Sequence, residues 1–324
     1  MINRRNLQHL LVLIKYAHFG RAAKALKISQ PALTKSIQGL ESDLGVPLLN
    51  RKRGALTLTV FGELLVERSK TLLTAEDDLR RDISLLAGNE IGSLNVALGP
   101  YPSVTSGYAA LARMLGAHPK INLSVRVCTW REVANQVATR AVDLGIAEIG
   151  GLAGNEQFDA ELVAQPRGRF LCRPGHPLVG QGAISLAQLL EYPWVATRIP
   201  ARIARNLPKS LGAAGSIDPH NGDFVPSVEV DVPMQLGRFL TASNAVAIAS
   251  LAMMEASLHS GEVNVLPTPT LDFRAGYGFI FLKNRTLSPA ALSFMREVRA
   301  IEGEMAIIDA ALTDKYLNSE ASSS

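Results

Sequence analysis

The sequence predicts an α/β protein in three parts: a basic helical head over residues 1–60, a long helix ending in a hinge over 61–90, and a two-lobed body over 91–324. Three observations predict it. The first 60 residues hold ten Lys and Arg against only Glu41 and Asp43, a net charge of +8 on a chain whose total is +4. From Phe61 to Ala87 there is no proline, and Leu65, Leu72, Leu79 and Leu86 recur every seventh residue. Beyond that, strand-like and helix-like segments alternate, the pattern of sheets covered by helices.

In the head, Leu7, Leu10, Leu11, Ile14 and Ala17 follow helical spacing, which predicts a first helix over 4–17. A short second helix follows in "FGRAAKALKIS", where Ala22 and Ala23 let a neighbour approach closely. Ser29 then offers a side-chain oxygen as N-cap, with Pro31 in the first turn, where a missing N–H costs nothing. Leu33, Ile37, Leu40 and Leu44 form the buried stripe of this third helix, and Gly45 ends it. Two helices joined by a tight turn, with the apolar stripe inward, make a helix-turn-helix.

The opposite face of the third helix carries Gln30, Pro31, Thr34, Lys35 and Gln38, beside Ser29, with no acid until Glu41. Amides and hydroxyls read donor–acceptor patterns on base edges, and a lysine reaches guanine or phosphate. "LLNRKRGALTLT" reads as a hairpin with Arg51, Lys52 and Arg53 at its tip, a wing set to add salt-sensitive backbone contacts. A basic head on a near-neutral body points to a polyanion partner, double-stranded DNA, for the head alone.

The connecting helix needs a partner for its leucine seam, on which Ile83 also lies and which Ser69 and Glu76 interrupt. "AGNEIGS" (87–93) has the glycines and polarity of a hinge. In the body, "SLNVALG", "INLSVRV" and "VDLGIAEI" read as strands of a parallel sheet, and the pattern restarts after about residue 165. It returns with "GYGFIFLK" and a helix from Pro289 to about Ile301. The first lobe is therefore expected over about 91–165 and 269–302, and the second over about 166–268, with crossings near 163–168 and 266–271.

Ligands of such lobes sit between them, at the carboxyl ends of strands. That points to Tyr101, Pro102, Ser103 and Val104, where a helix N-terminus offers amides to an anion. Facing them should be Thr129, Trp130, Thr197, Pro200, Arg202 and Val230. Arg198, Arg202 and Arg205 suggest a carboxylate ligand.

Composition excludes other classes. The 47% apolar and 19% charged content suits a folded, soluble chain. Two cysteines, Cys128 and Cys172, fit a reducing compartment. The arginine pair in "MINRRNLQHLLVLIK" hints at export, but His9 and Lys15 cut its apolar run short, and no later run reaches the ~20 residues of a membrane span. The expectation is a cytoplasmic protein. No phosphate-cradling glycine loop and no G-x-S-x-G occurs, and the six histidines lack metal-ligand spacing, so no enzyme, cofactor or metal is expected.

The stretch "GRAAKALKISQPALTKSIQGLESDLGVPLLNRKRGALTLTVFGELL" resembles the winged helix-turn-helix of LysR-type transcriptional regulators, through "AA..L..SQPA", "I..LE..LG..L", the wing arginine and "LT..G". The resemblance covers about residues 3–65 and implies that Gln30, Pro31, Thr34 and Lys35 approach bases and that Arg51 contacts the backbone. Lys35 departs from the arginine common in relatives, and Arg140 from a glycine common before the "DL.I" strand. The resemblance also implies a homodimer or homotetramer through the connecting helix, a periplasmic-binding-protein-like effector domain, and RNA polymerase as a partner. Peroxide-sensing members of the family use cysteines, so a redox switch through Cys128 and Cys172, or ligand-independent binding, stands as an alternative.

Overall fold

Helices α1 (Arg4–Tyr16), α2 (Phe19–Ala25) and α3 (Gln30–Leu44) meet over one core that buries Leu7, Leu10, Leu13, Ala22, Ala23, Leu33, Ile37 and Leu40. They belong to the first of two units, Met1–Gly88 and Asn89–Ser324. The computed structural model describes every residue except 1, 51–55, 87–91, 232, 269–272, 275, 284 and 319–324. The expected hinge at 87–93 therefore lies mostly outside the described residues, as do Arg51 and Arg53 at the wing tip.

The ends of α3 follow from its sequence. Ser29 Oγ accepts from the Ala32 N–H at 3.3 Å, and Gly45 closes the helix at φ 69°. Ala17, expected on the inward stripe of α1, instead caps that helix in the left-handed conformation at φ 46°. His18 then caps α2, its Nδ1 accepting from the Gly20 and Arg21 N–H groups. A polar link joins α1 to α3: Ser36 donates to Asn6 Oδ1 at 2.9 Å, and His9 Nδ1 lies 2.8 Å from Ser36 Oγ. Ser36 has one proton and gives it to Asn6, so His9 carries its own proton on Nδ1.

Strands β1 (Leu49–Asn50) and β2 (Thr57–Leu58) pair antiparallel at the base of the wing. Glu41, one of the head's two acids, accepts from the Leu48 and Leu49 N–H groups at 2.8 and 3.2 Å and so ties α3 to that base. Helix α4 (Val60–Leu86) packs Leu65, Val66 and Leu73 on the head core. Ser69 is fully buried, and Glu76 pairs with Arg4 at 3.2 Å. These two polar residues stand at seam positions between the leucines, as expected, and Glu76 is tied to the head through Arg4. Leu72, Leu79 and Ile83 remain 55%, 59% and 57% exposed, an apolar stripe left open. The side chain of Leu86 is outside the described set.

In the second unit, lobe I is a five-stranded sheet in which Asn122–Val127, Ser93–Leu98 and Leu144–Glu148 run parallel. Tyr277–Leu282 then pairs antiparallel with both Leu144–Glu148 and Phe158–Ala164. Lobe II orders Val228–Glu229, Trp194–Ala196, Val246–Ala249, Arg167–Cys172 and Asn264–Leu266, with Arg167–Cys172 antiparallel to its neighbours. The expected parallel sheets are thus mixed: the strands that enter after a crossing run opposite to the rest. Phe273–Arg274 still pairs with Arg167–Cys172, which puts the second crossing after residue 274, later than the expected 266–271.

Both sheets are covered on two faces. Along Arg167–Cys172, Phe170 and Cys172 enter one core while Leu171 enters the other. The last helix, Pro289–Thr313, runs well past the expected Ile301. Its first half buries Ala291, Phe294, Val298 and Ile301 in lobe I, whereas Leu312, with Ile308 and Tyr316, packs in lobe II. Tyr316 also donates to the Leu258 carbonyl at 3.1 Å, so the helix spans both lobes.

Arg140 adopts φ 56°, which explains why glycine is usual there: a left-handed conformation crowds any Cβ. Arg140→Gly is expected to raise the unfolding free energy by about 1 kcal/mol, read by urea denaturation. A loss of stability would show that the arginine side chain contributes more than its backbone strain costs.

Candidate functional site

Two surfaces qualify, one in each unit. In the head, Gln30, Pro31, Lys35 and Gln38 are exposed and Thr34 is half-buried along the side of α3 opposite Leu33, Ile37 and Leu40. The first turn of α3 contains no acid, so the positive end of the helix dipole is unopposed. Ser29 is engaged as the cap. The one acid nearest this face, Glu41, is turned to the wing base by its two backbone hydrogen bonds. Donors and acceptors of amide and hydroxyl type, a lysine and a helix N-terminus together form a surface for base edges and phosphate.

In the body, a cleft with a cavity of about 160 Å³ opens between lobe I and lobe II. Tyr101, Pro102, Thr129, Trp130, Thr197, Pro200 and Val230 all border it, as the sequence led one to expect. Ser103, Val104 and Arg202 do not. Ser103 Oγ instead donates to the Pro100 carbonyl at 2.6 Å, inside a helix that passes from Pro100–Pro102 through a π-turn, Ser103–Gly107.

Three contacts join the lobes around this cleft. The Tyr101 hydroxyl donates to Ser250 Oγ at 2.5 Å and accepts from the Ser250 N–H at 3.3 Å. Arg131 binds Asp223 through both terminal nitrogens, at 2.6 and 3.1 Å. Arg202 Nε donates to Glu148 Oε1 at 2.7 Å. Asp223 is completely buried and also accepts from the Ala201 N–H at 2.9 Å. Behind the cleft, the ring of Tyr277 lies 5.7 Å from that of Tyr101, and its hydroxyl donates to buried Glu302 at 2.7 Å. Burial pushes the Tyr101 and Tyr277 hydroxyls well above the usual phenol range, so both act as donors.

Sequence reasoning missed Arg131, Glu148, Asp223, Ser250 and Glu302. None stands in a motif, and each meets a partner from a distant segment. The arginines it did single out are differently placed. Arg198 is held by Glu229 and Asp218, at 3.0 and 2.7 Å, Arg202 by Glu148, and exposed Arg205 does not border the cleft.

The cysteines are free thiols in different lobes. Burial pushes Cys172 up to about 12 and also raises Cys128, which keeps both protonated and poorly nucleophilic. His176 lies in a turn, Nδ1 accepting from the Leu178 N–H. Among the described residues, no cluster suited to a metal ion occurs, and no helix is long and apolar enough to cross a membrane.

Comparison with known proteins accounts for both surfaces. Residues 4–63 match the bacterial regulatory helix-turn-helix protein model of the lysR family, and residues 87–301 match the LysR substrate binding domain. The chain is 32% identical over 291 residues to the SDS degradation transcriptional activation protein of a Pseudomonas strain, covering 89% of this chain and 92% of that protein. It is 27% identical to the HTH-type transcriptional regulator PcaQ of Agrobacterium fabrum, over 93% and 95% of the two chains. Among solved structures, a full-length OxyR variant from Pseudomonas aeruginosa aligns with TM-score 0.58 at 15% identity, over 94% of this chain and 95% of that one. Full-length CbnR in complex with its target DNA aligns with TM-score 0.56 at 19% identity, over 93% and 100%. These two show a shared fold. With a basic helix-turn-helix at one end and a two-lobed cleft at the other, matched by both family models, the chain belongs to the LysR family of DNA-binding transcriptional regulators.

Proposed function

We propose that the protein binds an interrupted palindrome near a promoter as a dimer or tetramer, and that a small molecule held between the body's lobes biases this assembly. The setting is the cytoplasm, with RNA polymerase as the downstream partner. One observation carries the reading: a single chain joins an exposed, acid-free helix face to a walled cleft closed by contacts between two lobes. Gln30, Pro31, Thr34, Lys35 and Gln38 would meet base edges. Ser29, Arg51 and Arg53 would meet the backbone. Tyr101, Trp130, Thr197 and Val230 would hold the effector.

Binding to the cognate promoter, measured over a range of salt, tests the DNA half. Lys35→Ala is expected to weaken specific binding by about 1–3 kcal/mol while leaving random DNA nearly unaffected. Arg51→Ala should weaken both and reduce the salt slope by about one ion. Wild-type binding by both variants would remove this face from the interface.

A further inference from the structure

Resting on the reading that the cleft holds an effector, we propose that its ligand is an uncharged, mostly apolar molecule with a single polar group, and not an anion. The walls come first. Trp130, Ile199, Ile203, Val230, Ile248 and Phe273 present hydrocarbon and aromatic surface from both lobes. Such a lining favours a ligand through the apolar area it removes from water.

The charges around it are already satisfied. Arg198 is bound by two carboxylates, Glu229 and Asp218, and Arg274 at the edge is not free either. Arg202 sits outside the lining, held by Glu148. An anion would have to displace an acid from one of these arginines, and it would enter beside Glu148, Glu229 and Asp231. Burying a charge without a counter-charge costs far more than burying a hydroxyl that finds one partner.

The remaining device for anions is the start of the helix after Ser93–Leu98, and it is depleted to the single Tyr101 N–H. Pro100 and Pro102 supply no N–H, and the Ser103 N–H is bound to the Gly99 carbonyl at 3.1 Å. Polar side chains at the walls are mostly engaged as well: Thr129 in a capping box with Glu132, Ser250 with Tyr101. Beside the Tyr101 N–H, the Thr197 hydroxyl and the Trp130 indole N–H are left to meet one polar group of a ligand. A cation is no better provided for: Glu229 is held by Arg198, Glu148 by Arg202 and the Gly150 N–H, and Asp231 is exposed to water, where its charge is screened.

The test uses the full chain and matched probes: 1-hexanol with hexanoate and hexylamine, and benzyl alcohol with benzoate. Thermal shift and saturation-transfer NMR read binding to wild type and to Val230→Trp, which fills the cleft. The expected result is an alcohol that binds about tenfold tighter than its charged counterparts, with the shift lost in Val230→Trp. Tighter binding of a carboxylate or amine, also lost in Val230→Trp, overturns the ligand class and leaves the cleft as the effector site. Binding that survives in a folded Val230→Trp, or none with any probe, overturns the cleft reading and the proposal with it. Should Val230→Trp fail to fold, Thr197→Val decides: a weakening of about fivefold for the alcohol, with toluene unchanged, supports the proposal. Unchanged alcohol binding contradicts it.

Discussion

Leu72→Asp combined with Leu79→Asp is expected to leave the protein monomeric and to abolish tight binding to an intact palindrome. Both leucines are more than half exposed on α4 in the single chain, on a stripe with Ile83, so the substitutions disturb no packing within the protomer. The adjoining side of the same helix, from Leu65 round to Val66 and Leu73, is occupied by the head, to which Glu76 is also tied through Arg4. If two copies of α4 pair along the open stripe, the four leucines of a dimer contribute about 6–12 kcal/mol, from roughly 1.5–3 kcal/mol per buried side chain. Replacing them by four carboxylates removes that term and adds like-charge repulsion, so dimer affinity falls by more than ~10⁴-fold. Sedimentation velocity reads the oligomer, and promoter binding reads the consequence, because a lone head engages one half-site. A variant that sediments like wild type would move the dimer contact off α4.

Much of the head was legible before its structure because its signals are local. A cap, a proline and a glycine at fixed offsets define α3, and a period of seven marks the seam of α4. At Arg140 the sequence shows only a departure from the usual glycine, and the left-handed φ of 56° that explains it comes from the structure. What stayed hidden depends on contacts between remote segments. Ser69 and Glu76 do break the seam, but sequence does not say that the head meets one edge of it. The antiparallel entry of Tyr277–Leu282 into lobe I depends on where the chain crosses over, not on the strand's own composition. The helix at 289 appeared to stop near Ile301 because the residues beyond it serve a different core, that of lobe II. In the cleft, a topological rule picked out residues that border it, whereas the ion pairs of Arg198 and Arg202 were not legible. Their partners, Asp218, Glu229 and Glu148, come from other segments, and without them each arginine looks available.

Arg131→Ala is expected to destabilise the body by about 3 kcal/mol, more than Asp223→Asn, although Arg131 is the more exposed partner. The asymmetry follows from burial. Asp223 has no accessible surface and is supported only by Arg131 and the Ala201 N–H among its side-chain bonds, while the Arg131 side chain is 50% exposed. Removing the arginine strands a carboxylate inside the protein. Removing the carboxylate's charge leaves a guanidinium that turns to water and an amide whose oxygen can still accept from Ala201. The double variant Arg131→Ala with Asp223→Asn should therefore recover about half of the loss, a coupling that urea denaturation of all four proteins resolves. Additive losses would mean that the pair does not interact across the cleft. Because Arg131 belongs to lobe I and Asp223 to lobe II, the same variant loosens the closed cleft. An effector that requires closure should then bind Arg131→Ala more weakly by the fraction of molecules left open. Stability and affinity would fall together in that case, and a fall in stability alone would show that the ion pair supports lobe II without governing how the cleft closes.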